Sequence, residues 1–286
     1  MTTTIAALLA QARQRLPANE ARLLLSHLLG RNPAWLEAHR DEALDAATAA
    51  RFSALVDRRA AGEPVAYLIG RREFYGRDFA ITPAVLIPRP ETELLVEIAA
   101  EKVAAAETAP RSTRILDLGT GSGCLAITLA LELPMTQVTA VEVSPQALTV
   151  ARGNAERLGA KVEFVESDWF AALPQVTFDL IVANPPYLAA DDAHLKEGDL
   201  RFEPAAALTD HADGLMAIRR IVAEARHWLT DGGWLFFEHG WDQGGAARAL
   251  LEAAGFEAIE QHRDLAGIVR VSGGRKPRSA RSAQSV

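Results

Sequence analysis

The chain of 286 residues is bounded first by what it does not contain. It has one cysteine, Cys124, so it can form neither an internal disulfide nor a multi-cysteine zinc site. Its seven histidines fall at no metal-ligand spacing, and no metal is expected. No apolar run approaches the roughly eighteen residues that suggest a membrane-spanning helix, so no membrane partner is expected. No basic leader precedes the first apolar stretch, which Gln11 and Arg13 interrupt. That stretch is expected to be an amphipathic helix rather than a signal peptide, and a cytoplasmic location follows. A surplus of positive charge is also missing. The formal net charge is −7, and the last fifteen residues hold four cations and no acid, which leaves −11 on the remainder. A body that acidic has no general attraction for a phosphate backbone, so DNA is not an expected partner. The basic end, residues 275–286 with Arg275, Lys276, Arg278 and Arg281, is expected to be disordered.

What remains is the composition of an ordinary globular protein, 49% hydrophobic and 23% charged. No internal repeat is visible. Residues 1–75 read as a small helical domain: Ile5, Leu8, Leu9 and Ala12, then Ala21, Leu24, Leu25 and Leu28, fall at helical spacing. Gly30, Asn32 and Pro33 break that pattern, and a further helix ends near Gly62. Two short runs around Tyr75-Gly76-Arg77 predict a β-hairpin, and Pro90 suits the first turn of the helix after it. Residues 76–110 are therefore assigned to a hairpin, linker and connecting helix.

From Arg114 strands and helices alternate. Strands are predicted at 114–118, 137–143, 161–166, 178–183, 233–238, 256–261 and 267–271. Residues 111–274 are thus expected to form an α/β domain with a mostly parallel seven-stranded sheet covered on both faces. Ligands bind such sheets at the carboxyl ends of the strands. Gly119, Gly121 and Gly123 lie between the first strand and its helix, where glycine allows a tight turn and close approach to a ligand. A plain turn would need no more, and Cys124 stands where a dinucleotide fingerprint would have glycine. The next two strands add weight. Glu142, about twenty residues further on, can take both hydroxyls of a ribose. Asp168 can accept from an exocyclic adenine amine or cap a helix, and Trp169 offers a flat face to the ring. Together these describe an adenosine site. No Gly-Lys-Ser/Thr follows the loop, which disfavours a P-loop nucleotidase.

The fourth strand runs into Asn184-Pro185-Pro186-Tyr187. Each proline fixes its own φ and pushes the preceding residue toward extended geometry. The Asn184 side-chain oxygen and the Pro185 carbonyl become a stiff pair of acceptors suited to a planar NH₂ group, with Tyr187 as an aromatic wall. A mere strand-ending turn would not need the asparagine and the tyrosine.

At these residues the chain resembles methyltransferases that use S-adenosylmethionine to methylate planar nitrogens. Gly119-Thr120-Gly121-Ser122-Gly123 and Asn184-Pro185-Pro186-Tyr187 carry the likeness. Residues 63–96, with Pro88-Arg89-Pro90-Glu91-Thr92-Glu93, and residues 201–215 narrow it to the bacterial peptide chain release factor glutamine N(5)-methyltransferases. The likeness runs from the N-terminal helices to about Arg270, and Glu142 stands where that family more often has aspartate. The resemblance implies a Rossmann-like S-adenosylmethionine-dependent domain joined by the hairpin to a helical domain that docks the substrate. The cofactor would be held by residues 119–123, Glu142, Asp168, Trp169 and Asn184. The substrate would be the glutamine of the Gly-Gly-Gln loop of class I release factors, bound by Asn184, Pro185, Pro186 and Tyr187. Asn184, Pro185 and Tyr187 would carry the chemistry in a monomeric enzyme. Three other readings stand beside it: a ribosomal-protein glutamine methyltransferase, a DNA adenine methyltransferase, and a non-catalytic adenosine-binding module. The second would need a basic target-recognition region that this chain lacks.

Overall fold

A computed structural model describes residues 3–105 and 112–279. They divide into two compact units, one of the described residues up to Arg71 with 196–202, the other of those from Arg72 to Leu195 and from Glu203 onward.

The first unit is helical. A two-residue strand β1 (Thr3–Thr4) leads into α1 (Ile5–Ala12), α2 (Ala18–Leu29) and α3 (Pro33–Ala38). Strand β2 (Ala43–Leu44) pairs with β1, and α4 (Ala46–Ala60) and α5 (Val65–Ile69) complete the bundle. Side-chain caps start three of these helices where the sequence offers them. Thr4 accepts from the Ala7 amide, Asn32 from Trp35 and Asp45 from Thr48. Ile5, Leu9, Leu24, Leu25 and Phe52 form its core. The 1–75 boundary needs correction in two ways. The unit ends at Arg71, and it includes residues 196–202, which a local reading cannot assign to it. Within it Arg59 pairs with Glu20 at 2.7 Å and with Asp199 at 2.8 Å.

The second unit opens, from Arg72, within the hairpin of β3 (Arg71–Phe74) and β4 (Arg77–Ala80), which therefore begins before residue 76. Both turn residues have positive φ, Tyr75 at 51° and Gly76 at 73°, the geometry of a two-residue hairpin turn. The Tyr75 amide is held by Glu93 Oε1 at 2.9 Å. A 3₁₀ turn, Pro90–Thr92, then leads into α6 (Glu93–Ala105).

The remaining elements alternate: β5 (Arg114–Leu118), α7 (Cys124–Glu132), β6 (Gln137–Glu142), α8 (Pro145–Leu158), β7 (Val162–Glu166) and β8 (Phe178–Ala183). After these come α9 (Ala205–Leu208), α10 (Met216–Trp228), β9 (Leu229–Glu238), α11 (Gly244–Ala253), β10 (Glu257–Arg263) and β11 (Val269–Arg275). The strands form one seven-stranded sheet in the order β10-β11-β9-β8-β5-β6-β7. The pairs among β5 to β9 are parallel, while β11 lies antiparallel between β9 and β10. This is the expected Rossmann-like sheet. β5 and β8 are nearly all apolar and buried, as strands covered on both faces must be. The chain winds outward in opposite directions from β5, so the ends of β5 and β8 border the crevice where such sheets bind ligands.

The tail expected from residue 275 also needs correction. Arg275 pairs with Trp234 as the last residue of β11. The Lys276 amide donates to the Gly233 carbonyl at 2.8 Å, and its Nζ to Leu229 O at 2.8 Å. The rest of that stretch, 280–286, lies outside the described residues.

Candidate active site

The glycine loop leaves β5 with Gly119, Gly121 and Gly123 all at positive φ, 74°, 55° and 82°. The three glycines meet different surroundings. A Cβ at Gly123 would lie 2.8 Å from Ile127 Cδ1 and 3.2 Å from Ala151 Cβ, so this glycine lets α7 and α8 pack together. A Cβ at Gly119 would contact the Trp169 ring at 3.5 Å, and one at Gly121 would meet nothing within 4 Å. The loop is thus closed on the helix side and open at Gly121.

Thr120 and Ser122 are buried within the loop. Thr120 Oγ1 donates to Asp117 Oδ2 at 2.6 Å, beneath the glycines. Asp117 is 1% exposed, and burial pushes its carboxyl up to about 7 despite that hydrogen bond. Sequence reasoning missed Asp117, although an acid inside the apolar run of β5 was a visible signal. Cys124 opens α7, and desolvation pushes its thiol up to about 12, which agrees with a packing role.

Glu142, at the end of β6, is tied into the loop. Its Oε2 accepts from the Gly121 amide at 2.9 Å, and its Oε1 from the Val143 and Ser144 amides at 3.0 Å each. Ser144 then caps α8 by accepting from Ala147, with Pro145 in the first turn. These bonds fix the Glu142 carboxylate, fill the two lone pairs of Oε1 and leave one on Oε2. Trp169 sits at φ 53° beside Gly119. Asp168, expected to accept from an adenine amine or to cap a helix, is paired with an arginine. Arg220 Nη1 holds both of its oxygens, at 2.9 and 2.8 Å, and Arg220 Nη2 donates to its carbonyl at 3.3 Å.

β8 delivers Asn184, half-buried, and Pro185, buried. Asn184 Nδ2 donates to Thr92 Oγ1 at 2.9 Å. Among the described residues neither Asn184 Oδ1 nor the Pro185 carbonyl accepts a hydrogen bond, which leaves the two acceptors proposed for an NH₂ group available. The Tyr187 hydroxyl donates to Glu238 Oε1 at 3.2 Å, and its carbonyl accepts from Gln243 Nε2 at 2.9 Å. Desolvation, then the Glu238 charge, pushes the Tyr187 phenol up, so it stays protonated. Gly214 lets that carbonyl approach, since a Cβ there would lie 2.4 Å from it. Pro186, between them, holds the turn extended.

Arg89 stands beside Glu203, whose side chain is fully buried and whose Oε2 also accepts from the Ile87 amide at 2.9 Å. Glu238 has no signal in the sequence, and Thr92 enters there only as one residue of the Pro88–Glu93 stretch that carries the resemblance. Thr92 Oγ1 donates to Glu238 Oε2 at 2.6 Å across 146 residues of chain. No group of three or more His, Cys, Asp or Glu side chains among the described residues could hold a metal ion.

Two family models match, one described as the PrmC N-terminal domain over residues 2–70 and one as the methyltransferase small domain over residues 91–210. A curated relative from Bordetella pertussis, named release factor glutamine methyltransferase, is 55% identical over 260 residues, covering 91% of this chain and 95% of its own. A relative of the same name from Burkholderia pseudomallei is 54% identical over 269 residues, covering 92% and 93%. A solved methyltransferase from Pyrococcus furiosus shares the fold, with a TM-score of 0.53 at 19% identity over 79% of this chain and 99% of its own.

Proposed function

The chain belongs to the release factor glutamine methyltransferase family, and from that premise we propose how its own residues carry out the reaction. It is an S-adenosylmethionine-dependent enzyme that methylates a glutamine side chain of a peptide chain release factor. The residues present fit that cofactor. The glycine loop is open at Gly121, Gly119 lies against the Trp169 ring, and Glu142 is held at the next strand end with a lone pair of Oε2 still open.

In this reading residues 119–123 receive the cofactor's amino-acid part, Glu142 takes the ribose hydroxyls, and Trp169 covers the adenine. Asp168 reaches the adenine amine only by giving up part of its Arg220 pair, so it is a supporting acceptor at the rim. Bound S-adenosylmethionine supplies an electrophilic methyl group on a sulfonium and leaves as a neutral thioether. The protein's task lies with the nucleophile. An amide nitrogen is weakly nucleophilic because its lone pair is delocalised, and its proton is far too weakly acidic to be removed first. Asn184 Oδ1 and the Pro185 carbonyl accept its two N–H hydrogens, aim the nitrogen, and stabilise the positive charge that develops on it. Pro186 keeps these acceptors stiff and Tyr187 walls the amide. The observation that carries this is the pair of free acceptors at Asn184 and Pro185. Once the methyl is in place the cationic nitrogen is strongly acidic and gives one of its two protons to solvent, so no side-chain general base is required.

The substrate glutamine is that of the Gly-Gly-Gln loop of a class I release factor, presented to a monomeric cytoplasmic enzyme, and the helical unit docks the rest of that protein. DNA is not a substrate. Mass spectrometry of an intact release factor after incubation with enzyme and S-adenosylmethionine tests the assignment. A methyl group on the Gly-Gly-Gln glutamine is expected, and modification elsewhere would overturn it. A chain lacking residues 1–71 that methylated whole release factor undiminished would remove the docking role.

A further inference from the structure

Glu238 has no part in the reaction as described, yet its position is hard to explain as packing. It ends β9, one strand over from β8, with Phe237 paired to Ala183, so Glu238 and Asn184 leave adjacent strands at the same level. It is 1% exposed, and its carboxylate receives two hydroxyls, Thr92 Oγ1 at 2.6 Å and Tyr187 OH at 3.2 Å. A carboxyl group buried this deeply costs more than a hydrophobic residue of similar size.

The hydrogen count along this chain of contacts is decisive. A threonine hydroxyl has one hydrogen to give. Thr92 gives it to Glu238, so toward Asn184 it can only accept. Asn184 must therefore turn its NH₂ to Thr92, as the 2.9 Å contact has it, and Oδ1 must point away. The reversed amide would set Oδ1 against the lone pairs of Thr92 and present two hydrogens where the substrate's own N–H groups need an acceptor.

We infer that Glu238 and Thr92 are positioning residues for methyl transfer: ionised Glu238 takes the Thr92 hydrogen, Thr92 then holds Asn184 Nδ2, and Asn184 Oδ1 is left facing the substrate amide. The inference rests on the reading of Asn184 as the acceptor for the glutamine N–H.

The arrangement depends on the charge of Glu238. A protonated carboxyl can itself donate to Thr92 Oγ1, which frees the threonine hydrogen for Asn184 Oδ1 and removes the preference between the two amide orientations. Burial pushes Glu238 up to about 7, while the Thr92 and Tyr187 hydroxyls oppose that rise. Glu91, beside Thr92 on the 3₁₀ turn, raises the value, and Arg270 on β11 lowers it. The Tyr187 phenol and the Cys124 thiol on α7 stay protonated through this range. His239, the next residue on β9, is kept neutral by burial and turns its ring to Gly240 O and Ser272 Oγ, both at 2.9 Å. The orientation is therefore enforced above neutrality and relaxed below it.

The test is single-turnover methylation of an intact release factor at saturating S-adenosylmethionine, followed through neutral pH, with Thr92→Val, Thr92→Ser and Glu238→Gln. Thr92→Val, which keeps the shape but neither accepts nor donates, is expected to slow the step by about 10²-fold, the scale of losing one preorganised hydrogen-bonding group. Cofactor affinity measured by calorimetry should stay within about threefold, well under the tenfold that 1.4 kcal/mol represents. Thr92→Ser should restore most of the rate. Wild-type enzyme should slow as pH falls through about 7, and Glu238→Gln should lose that limb. The Asn184 side-chain amide resonances should shift over the same range in wild type and not in Glu238→Gln, a readout that needs neither substrate nor turnover. If Thr92→Val fails to fold, the Glu238→Gln profile and the amide resonances decide. Equal rates for Thr92→Val and wild type, equal impairment of Thr92→Val and Thr92→Ser, or an acid limb that survives in Glu238→Gln would each overturn the inference. Wild-type enzyme that methylates no release factor glutamine would overturn the functional reading instead.

Discussion

Replacing Asp117 by asparagine should make the catalytic unit more stable at alkaline pH than the natural protein. Asp117 lies inside β5, 1% exposed, with Thr120 Oγ1 on its Oδ2 at 2.6 Å. Desolvation raises its carboxyl from 3.8 to about 7, and the charge on Glu142 adds to that rise. The folded protein therefore holds the proton to about pH 7, while the unfolded chain releases it near 3.8. Stability from this difference is fully present below the unfolded value and is lost as pH rises through the folded one. Each unit of separation is worth about 1.4 kcal/mol, so the interval from pH 5 to about 7 amounts to about 3 kcal/mol. Glu238, raised from 4.5 to about 7 by the same cause, adds a second loss over the same window. Asparagine offers Thr120 the same acceptor oxygen and has no proton to lose, so Asp117→Asn should remove about half of the decline. Urea denaturation followed by tryptophan emission reports mainly on this unit, because four of the five tryptophans, all but Trp35, lie in it. Stability curves for wild type and Asp117→Asn that run parallel from pH 5 to 8 would refute the reasoning.

The other predictions concern the cofactor, the acceptor pair and the buried ion pair. Glu142→Ala should weaken S-adenosylmethionine by about 1.5–3 kcal/mol, the scale of hydrogen bonds to a charged group; unchanged affinity by calorimetry would remove Glu142 from the site. Asn184→Ala should slow single-turnover methylation by about 10²–10³, while Tyr187→Phe, which keeps the ring, should be milder; a near wild-type rate for Asn184→Ala would reduce the motif to a turn. Arg89→Ala leaves the fully buried Glu203 side chain with only the Ile87 amide, and should destabilise the unit by roughly 3 kcal/mol, as removal of one member of a buried pair does. Adding Glu203→Gln should recover much of that loss; a change in denaturation midpoint too small to detect for Arg89→Ala would show that the pair is not holding the turn.

The strands were legible where burial made them uniform. Phe178–Ala183 and Arg114–Leu118 have the ends their apolar runs suggest, because a strand covered on both faces has little choice of composition. The last strand was misjudged. It was expected at 267–271 and runs from Val269 to Arg275, through Ser272-Gly273-Gly274. Those glycines look like a loop signal, but they sit where no side chain fits. A Cβ at Gly273 would lie 2.1 Å from the Phe236 ring, and one at Gly274 would lie 2.9 Å from Phe256 Cβ. They allow close packing rather than a turn. Residues 196–202 escaped for another reason: nothing local tells a segment to pack with helices more than a hundred positions away, and Arg59 meets Asp199 across 140 residues.

The site divides along the same line. Gly121, Pro185 and Pro186 act through what they do to their own backbone, so a short window of sequence announces them. Asn184 and Tyr187 are named by their place in that window. Asp117, Thr92 and Glu238 act through burial and through partners brought from elsewhere in the chain. Glu238, in Phe237-Glu238-His239, looks like any acid at the solvent end of a strand, and only its 1% exposure distinguishes it. Thr92 looks like one more residue of a helix start, yet it joins Glu238 to Asn184 across 146 and 92 positions. For a reaction in which no proton is removed before the methyl is transferred, the direction of a hydrogen bond matters more than the strength of a base. Direction is set by the whole chain of donors and acceptors behind the reacting pair, and that chain exists only once the strands are side by side.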